Sequence, residues 1–330
     1  MPNEIELKLR VAPNVKQTLS DHPDIQTNLF GDPYTRSLIS IYYDTPDLYL
    51  LDAGLSLRVR SMAGGWFQAV KSTGHSVGGL HQRLEWEDLL TKNEPDFDKI
   101  KEPHLANIFA SPALRQALKP VFVVDVIRTD WNLKYPDGTE IEVSLDDGEL
   151  KVCQPRVWES IEPIHELEIE LKSGGSKQHL FELALALQKD VPFIIENSSK
   201  AQLGYRHLRA EPTIKTHSQA TKVPSRHQAP KDRGASYIAQ IQANQEIIQK
   251  VNHTASVSQI RFDIERLKIA IMQTMPKTNF LIRELDWLNG HMLTPCDDEH
   301  YQVLQNTLNS QRYQSLMLNL SAWVYSDKVY

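Results

Sequence analysis

The stretch Glu4-Ile5-Glu6-Leu7-Lys8-Leu9-Arg10 alternates charged and aliphatic residues without a break. Successive side chains of a strand point to opposite faces. Ile5, Leu7 and Leu9 therefore share a face to bury, while Glu4, Glu6 and Lys8 share a face that must meet water or a ligand. A single strand of this kind is ordinary in a half-exposed antiparallel sheet. The pattern recurs, however, in Leu55-Ser56-Leu57-Arg58-Val59-Arg60 and in Glu140-Ile141-Glu142-Val143-Ser144-Leu145-Asp146. It is densest in Glu166-Leu167-Glu168-Ile169-Glu170. Carboxylates two residues apart on one strand face are only about 7 Å from one another and repel unless cations compensate them.

At 330 residues, 41% hydrophobic and 24% charged, the chain has the make-up of a globular protein with room for two domains. A net charge of -6 argues against a general nucleic-acid binder, although a local cluster of Lys and Arg can still hold an anion. Cys153 and Cys296 lie far apart without a metal-ligand spacing, so neither a disulfide framework nor a zinc site is expected. The expected home is the reducing cytoplasm. No basic, apolar leader and no run near the ~18 apolar residues that cross a bilayer is seen, so no membrane partner is expected.

Strand signals fall at 3–10, 37–44, 54–62, 65–72, 79–90, 121–134, 138–146, 149–153 and 163–172. Turn residues at Tyr135-Pro136-Asp137-Gly138 and Asp146-Asp147-Gly148 divide 121–153 into a three-stranded antiparallel meander. Helices are expected over 12–20 and over 102–119, the latter interrupted at Ser111-Pro112, where Ser can cap a new turn. Ser173-Gly174-Gly175-Ser176 could cradle a phosphate, but a Ser-capped turn into an amphipathic helix with Leu180, Leu183, Ala184 and Leu187 is favoured. A short helix over 199–208 closes the region. Residues 211–233, rich in Pro, Lys, Thr, His, Ser and Gln, read as a linker. Four helices follow over 235–251, 257–275, 279–292 and 298–324, and an antiparallel bundle is their economical arrangement. The fold class is α+β.

If the charged strand faces close on one another, they direct Glu4, Glu6, Lys8, Arg58, Arg60, Lys71, Arg83 and Glu85 into a common interior. Arg128, Glu140, Glu142, Asp146, Glu166, Glu168 and Glu170 join them. Burying this many charges costs several kcal/mol each in a dry core. A wet tunnel around a charged ligand removes the difficulty. Arginine forks and lysines suit phosphate oxygens, and carboxylates suit a hard cation such as Mg²⁺ or Mn²⁺. Together they describe a site for a metal–polyphosphate complex.

Glu4-x-Glu6-x-Lys8 resembles the signature of the CYTH superfamily, the triphosphate tunnel metalloenzymes. Further segments match in order: Ser40-Ile41-Tyr42-Tyr43-Asp44-Thr45-Pro46, Gly54 to Arg60, Gly79-Leu80-His81-Gln82-Arg83, Glu166 to Glu170, and Ser199-Lys200-Ala201-Gln202-Leu203-Gly204-Tyr205. The resemblance spans residues 1 to about 208 and is nearest to bacterial inorganic triphosphatases that join a CYTH domain to a helical CHAD domain. It implies an eight-stranded antiparallel β-barrel tunnel with packed helices. It assigns substrate phosphate contacts to Lys8, Arg58, Arg60, Lys71, Arg83, Arg128 and Lys200. Metal ligation falls to Glu4, Glu6, Asp146, Glu166 and Glu168, and Glu170, in the same phase, is either a further metal ligand or a residue of the mouth. Glu85 and Glu142 are inward acids that hold basic residues or position water, and they join Glu4, Glu6 and Lys8 as the catalytic set. The implied reaction is metal-dependent hydrolysis of tripolyphosphate to pyrophosphate and phosphate, with one metal on the phosphate oxygens and a second activating water. The alternatives are a nucleoside or thiamine triphosphatase, an adenylate cyclase, and a non-catalytic polyphosphate sensor. His81 could donate a proton, but a hydrogen-bonded loop histidine is the favoured reading.

The C-terminal part resembles a truncated or degenerate CHAD domain. Ser258-Gln259-Ile260-Arg261-Phe262-Asp263-Ile264-Glu265-Arg266-Leu267-Lys268 matches the segment that opens that family's pattern, with Ser258 where a histidine stands in relatives and Asp263 and Glu265 intruding. A scaffold, lid or homodimer surface is expected of it rather than polyphosphate binding. The division is thus a tunnel domain over 1–210, a linker over 211–233 and a helical domain over 234–330.

Overall fold

The computed structural model describes residues 3–62, 64–72, 74–154, 157–209, 224–225, 227–275, 279–292 and 297–326. β1 (Asn3–Val11) is followed by two short helices, α1 (Lys16–Asp21) and α2 (Pro23–Asn28), where one was expected. The chain continues through β2 (Tyr34–Asp44), α3 (Tyr49–Asp52), β3 (Leu55–Met62), β4 (Gly65–Ser72), β5 (His75–Val77) and β6 (Leu80–Leu90). Two helices, α4 (Pro103–Phe109) and α5 (Pro112–Ala117), follow, and the Ser111 hydroxyl caps α5 by accepting from Leu114 N–H. Then come β7 (Lys119–Lys134), β8 (Glu140–Gln154), β9 (Val157–Ser173), α6 (Gln178–Leu187), β10 (Phe193–Ile195) and α7 (Lys200–Leu208). In the turn before α6, Ser176 Oγ accepts from Gln178 N–H, in line with the strand-to-helix reading of the glycine-rich stretch.

Strands pair antiparallel in the order β1-β9-β8-β7-β2-β3-β4-β6, and β6 returns to β1, closing an eight-stranded barrel. β10 adds to the C-terminal half of β1 and β5 to the start of β6. The three-stranded meander exists, but as β7-β8-β9. The turn expected at Asp146-Asp147-Gly148 is absent, because these residues lie within the continuous β8. Gly148 serves close approach instead: a Cβ there would stand 2.2 Å from the Asp125 carbonyl oxygen.

Alternation places Leu7, Leu9, Val143, Leu145, Leu167 and Ile169 on the outer face of the barrel, where α6 covers them with Leu180, Phe181, Leu183, Ala184 and Leu187. Each such side chain contributes about 1.5–3 kcal/mol on leaving water. A second outer cluster joins β3 and β4 to α4 and α5. Inside, the interior faces of β2, β7 and β8 carry Leu38, Tyr42, Phe122, Val124, Val126, Leu150 and Val152, which meet Leu203 and Tyr205 of α7. Phe122 stacks on Tyr42 at 4.4 Å and meets the edge of Tyr205 at 5.2 Å. This apolar plug fills the part of the barrel under α7 and leaves the remainder to charge. Gly204 permits the docking, since a Cβ there would lie 2.3 Å from the Phe122 ring.

Five helices make up the C-terminal part among the described residues: α8 (Pro230–Lys250), α9 (Thr254–Met272), α10 (Phe280–His291), α11 (Asp298–Asn309) and α12 (Gln311–Tyr325). The expected fourth helix is divided at Ser310, whose hydroxyl accepts from Tyr313 N–H and caps α12. α8 starts at Pro230, before the expected boundary at 234, and most of the expected linker, 211–223 and 226, lies outside the described residues. The helices share one continuous core with the barrel. Their side-chain amides also meet the sheet's two edge strands. Gln311 Oε1 accepts from Phe193 N–H and its Nε2 donates to the Phe193 carbonyl, while Gln314 Oε1 accepts from Ile195 N–H. Gln242 Oε1 accepts from Gly78 N–H, next to β5, where a Cβ would overlap Ser321. No helix among the described residues is long and apolar enough to cross a membrane.

Candidate active site

The inward phase of the strands lines one cavity of about 1500 Å³, open mouth included. Its wall holds Glu4, Glu6 and Lys8 from β1, Arg58 and Arg60 from β3, and Lys71 from β4. Arg83 and Glu85 come from β6, Arg128 from β7, Glu142 from β8, Glu168 and Glu170 from β9, and Lys200 from α7. Asp146 and Glu166 lie directly behind, bonded to members of this wall. The sequence-derived set is therefore brought together in one space. Glu140, also placed inward by alternation, pairs instead with Lys134 and Ser173 at an exposed edge.

Three groupings divide the cavity. In the first, the Lys71 ammonium donates to both Glu4 oxygens at 2.8 and 3.0 Å and lies 3.1 Å from Glu85, while Arg83 donates to Glu4 at 2.7 Å and Glu6 at 2.6 Å. Burial opposes the charge on Glu4, but Lys71 and Arg83 outweigh it and hold its carboxyl far below the usual range. Burial, with Arg83 and Arg58 nearby, pushes the Lys71 ammonium down to about 8.

The second grouping is deeper. Carboxylate oxygens of Asp146, Glu166 and Glu168 lie within 4.8 Å of one another. Lys200, at the first turn of α7, donates to Glu168 at 2.8 Å and to Glu166, and lies 2.9 Å from Asp146. The Ser199 and Gln202 capping box fixes this helix start. Lys8 reaches the same carboxylates, at 2.5 Å from Glu168 and 3.3 Å from Glu166, and Arg128 forks onto Asp146 with two bonds of 2.6 Å while also meeting Glu168. Burial pushes Glu166 up to about 7, whereas the surrounding cations overcome burial at Glu168 and hold it well below the usual range. The donor set is all carboxylate oxygen and already holds an ammonium among its three members, which suits a hard divalent cation.

The third grouping is basic. Arg60 donates to the neutral Ser40 hydroxyl at 2.8 Å, and among the described residues no carboxylate pairs with it. Burial, together with neighbouring Arg58 and Arg128, pushes its guanidinium down to about 10. Arg58 pairs with Glu85 at 3.1 Å and keeps a buried Nε without a partner. Wall and mouth also include groups that the sequence did not single out: Tyr34, Arg36 and Lys172. Lys172 bonds Glu170 at 3.1 Å and lies 3.5 Å from Glu142, so both acids sit at the mouth, outside the carboxylate triad. The signal for Tyr34 and Arg36 was the even phase of β2, continued before the strand limit first assigned, and that for Lys172 was the even phase of Glu166, Glu168 and Glu170 inside the strand already assigned. His81 is buried, and its Nε2 donates to the Glu196 carbonyl, which can only accept; burial pushes its pKa down to about 4. It is a neutral, hydrogen-bonded histidine.

Buried ion pairs roughly break even against apolar packing, so this interior adds little to stability. The description CYTH domain matches residues 2–205. An inorganic triphosphatase of Haemophilus influenzae is 32% identical over 215 residues, covering 62% of this chain and 55% of the relative, so the chain spans about half the length of that protein. Among solved structures, a Hippeastrum protein named as an adenylyl cyclase with a dominant triphosphatase activity is 15% identical, with a TM-score of 0.45 over 62% of this chain and 96% of that one. A solved inorganic triphosphatase is 18% identical, with a TM-score of 0.24 over 62% and 95%. At such values the structural likenesses add nothing to the match over residues 2–205.

Proposed function

The chain belongs to the CYTH domain family, and from that premise we propose that it hydrolyses inorganic triphosphate to pyrophosphate and phosphate with the help of Mg²⁺ or Mn²⁺. The observation that carries the reading is Arg60, an inward guanidinium beside Arg58 and Arg128 that, among the described residues, bonds a hydroxyl and no carboxylate. A guanidinium without a carboxylate of its own, crowded by two others that are paired, calls for a polyanion. Arg58, Arg60 and Arg128 would grip phosphate oxygens, and Lys8, Lys71, Arg83 and Lys200 would exchange their carboxylates for the same ligand. Asp146, Glu166 and Glu168 would hold a divalent cation, with Glu4, Glu6 and Glu170 as further oxygen donors toward the mouth. Such a cation supplies charge against the phosphate oxygens and makes a neighbouring water more acidic. Glu85 keeps Arg58 and Lys71 in place, and Glu142 orients Lys172. Glu4 and Glu6 accept from Arg83, and with Lys8 they tie the two acidic groupings together.

To the same reading belong the division into a tunnel domain over 1–210, a linker over 211–233 and a truncated CHAD-like helical domain over 234–330. The helices act as a scaffold for the barrel edge, with homodimer formation through them as a further role, and the cytoplasm is the setting. The test is phosphate release from tripolyphosphate, ATP and thiamine triphosphate, each with Mg²⁺, Mn²⁺ or chelator and with Glu168→Gln as control. Metal-dependent release from tripolyphosphate alone supports the proposal. Comparable release from ATP widens it, and binding without release replaces it by a sensor.

A further inference from the structure

β2 begins at Tyr34, and its inward phase runs through Tyr34, Arg36, Ser40 and Tyr42. Arg36 stands directly across from Arg128 in the β2–β7 ladder, so two guanidiniums face each other on one wall. Opposed like charges are unfavourable unless each has its own partner. Arg128 has Asp146, and Arg36 has Asp130, 3.0 Å from its NH2. Asp130 is fully buried and its other oxygen accepts from Ser144 Oγ at 2.5 Å, which fixes the carboxylate. On the opposite side the Tyr34 ring lies 4.7 Å from the Arg36 guanidinium carbon, and the Tyr34 hydroxyl accepts from NH1. NH1 is thereby hydrogen-bonded and NH2 ion-paired, Nε is enclosed, and a fifth of the side chain stays exposed in the cavity lining. A preorganised guanidinium with an exposed face in the wall of a polyanion cavity is placed to meet an anion oxygen.

We infer that Arg36 is a further substrate-binding residue that contacts the phosphate nearest the Tyr34 mouth, with Asp130 as its positioning residue. The inference rests on the triphosphatase reading of the same cavity. It extends the basic wall of Arg58, Arg60 and Arg128 outward by one guanidinium. A charge-assisted bond made equally in the bound and reacting states moves KM rather than kcat.

The experiment compares the full chain with Arg36→Gln and Arg36→Lys, measuring tripolyphosphate affinity by calorimetry in chelator and kcat and KM with Mg²⁺. Arg36→Gln is expected to weaken binding and raise KM about tenfold to a hundredfold with kcat within about threefold. Arg36→Lys, which keeps charge but not the fork, recovers part of that loss. Thermal melting of each variant establishes that it is folded. Unchanged affinity and KM in folded Arg36→Gln overturn the inference and leave Arg36 as the counter-ion of Asp130. Should the parent chain bind tripolyphosphate without turnover, the hydrolase reading falls while the affinities still decide Arg36. Should it bind none, both fall together.

Discussion

Replacing Lys200 by Met removes the ammonium from among Asp146, Glu166 and Glu168 while keeping much of the side chain's bulk. In the described structure those three carboxylates face three cations, Lys8, Arg128 and Lys200, and the substitution leaves three against two. Breaking a buried ion pair by removing one partner costs about 3–5 kcal/mol. At roughly 2–4 °C per kcal/mol, Tm in chelator should fall by about 6–20 °C. A divalent cation acts differently on the two proteins. In the parent chain it must displace the ammonium, whereas in Lys200→Met it enters a site with surplus negative charge. A ligand at about 100 times its Kd adds about 2.7 kcal/mol to stability, so the variant should recover more of its Tm with Mg²⁺ or Mn²⁺ than the parent gains. The assay is thermal melting in chelator and across a metal titration, with catalysis playing no part in the readout. An unchanged Tm in chelator, or a metal-induced rise no larger in the variant than in the parent, would refute the idea that ammonium and metal compete for one place.

Arg60→Gln should lower kcat/KM by about two to three orders of magnitude, because a fork on the phosphates is lost. The same change should leave Tm equal or raise stability by about 1–2 kcal/mol, since the parent holds a guanidinium there against burial and two like charges; a large fall in Tm would contradict this. Gly204→Ala places a Cβ against the Phe122 ring and should destabilise by about 1–3 kcal/mol in urea unfolding, with activity falling as α7 carries Lys200 away; a neutral result would count against the close docking. Asp263 in α9 is fully buried, and burial pushes its pKa from 3.8 up to about 6. The folded chain then binds the proton more tightly than the unfolded chain, so its contribution is fullest below the unfolded value and is lost as pH rises through about 6, by up to about 3 kcal/mol. Asp263→Asn should flatten stability against pH between about 4 and 7, and parallel curves for the two proteins would dismiss the titration.

Alternation at Glu4–Arg10 and Glu166–Glu170 was enough to assign both faces of β1 and β9, because a half-charged strand leaves no choice of register. The interior set followed from the same parity. Arg36 escaped because β2 starts before the expected 37–44, whereas Lys172 lay inside the expected 163–172 and its even phase was not followed past Glu170. Gly148 misled for a physical reason: glycine marks both turns and close backbone approach, and only the neighbouring strand tells them apart. β5 and β10, three residues each, are too short to carry a period. Nor does a list of charges reveal its own pairing. That Glu4 and Glu6 face Lys71 and Arg83, while Asp146, Glu166 and Glu168 gather around Lys200, depends on barrel curvature and on the reach of α7.

The amide clasp on the edge strands bears on how this protein keeps to itself. A strand at the end of a sheet offers bare donors and acceptors to any other extended chain, and that offer is the common route to aggregation. Here the offer at Phe193 and Ile195 is taken up by Gln311 and Gln314, and the backbone beside β5 is taken up by Gln242. Cleavage after residue 209 would therefore do more than remove a neighbour. It would uncover a short adhesive edge beside an apolar flank, and the released barrel should precipitate or form β-rich polymers where the intact chain stays dispersed.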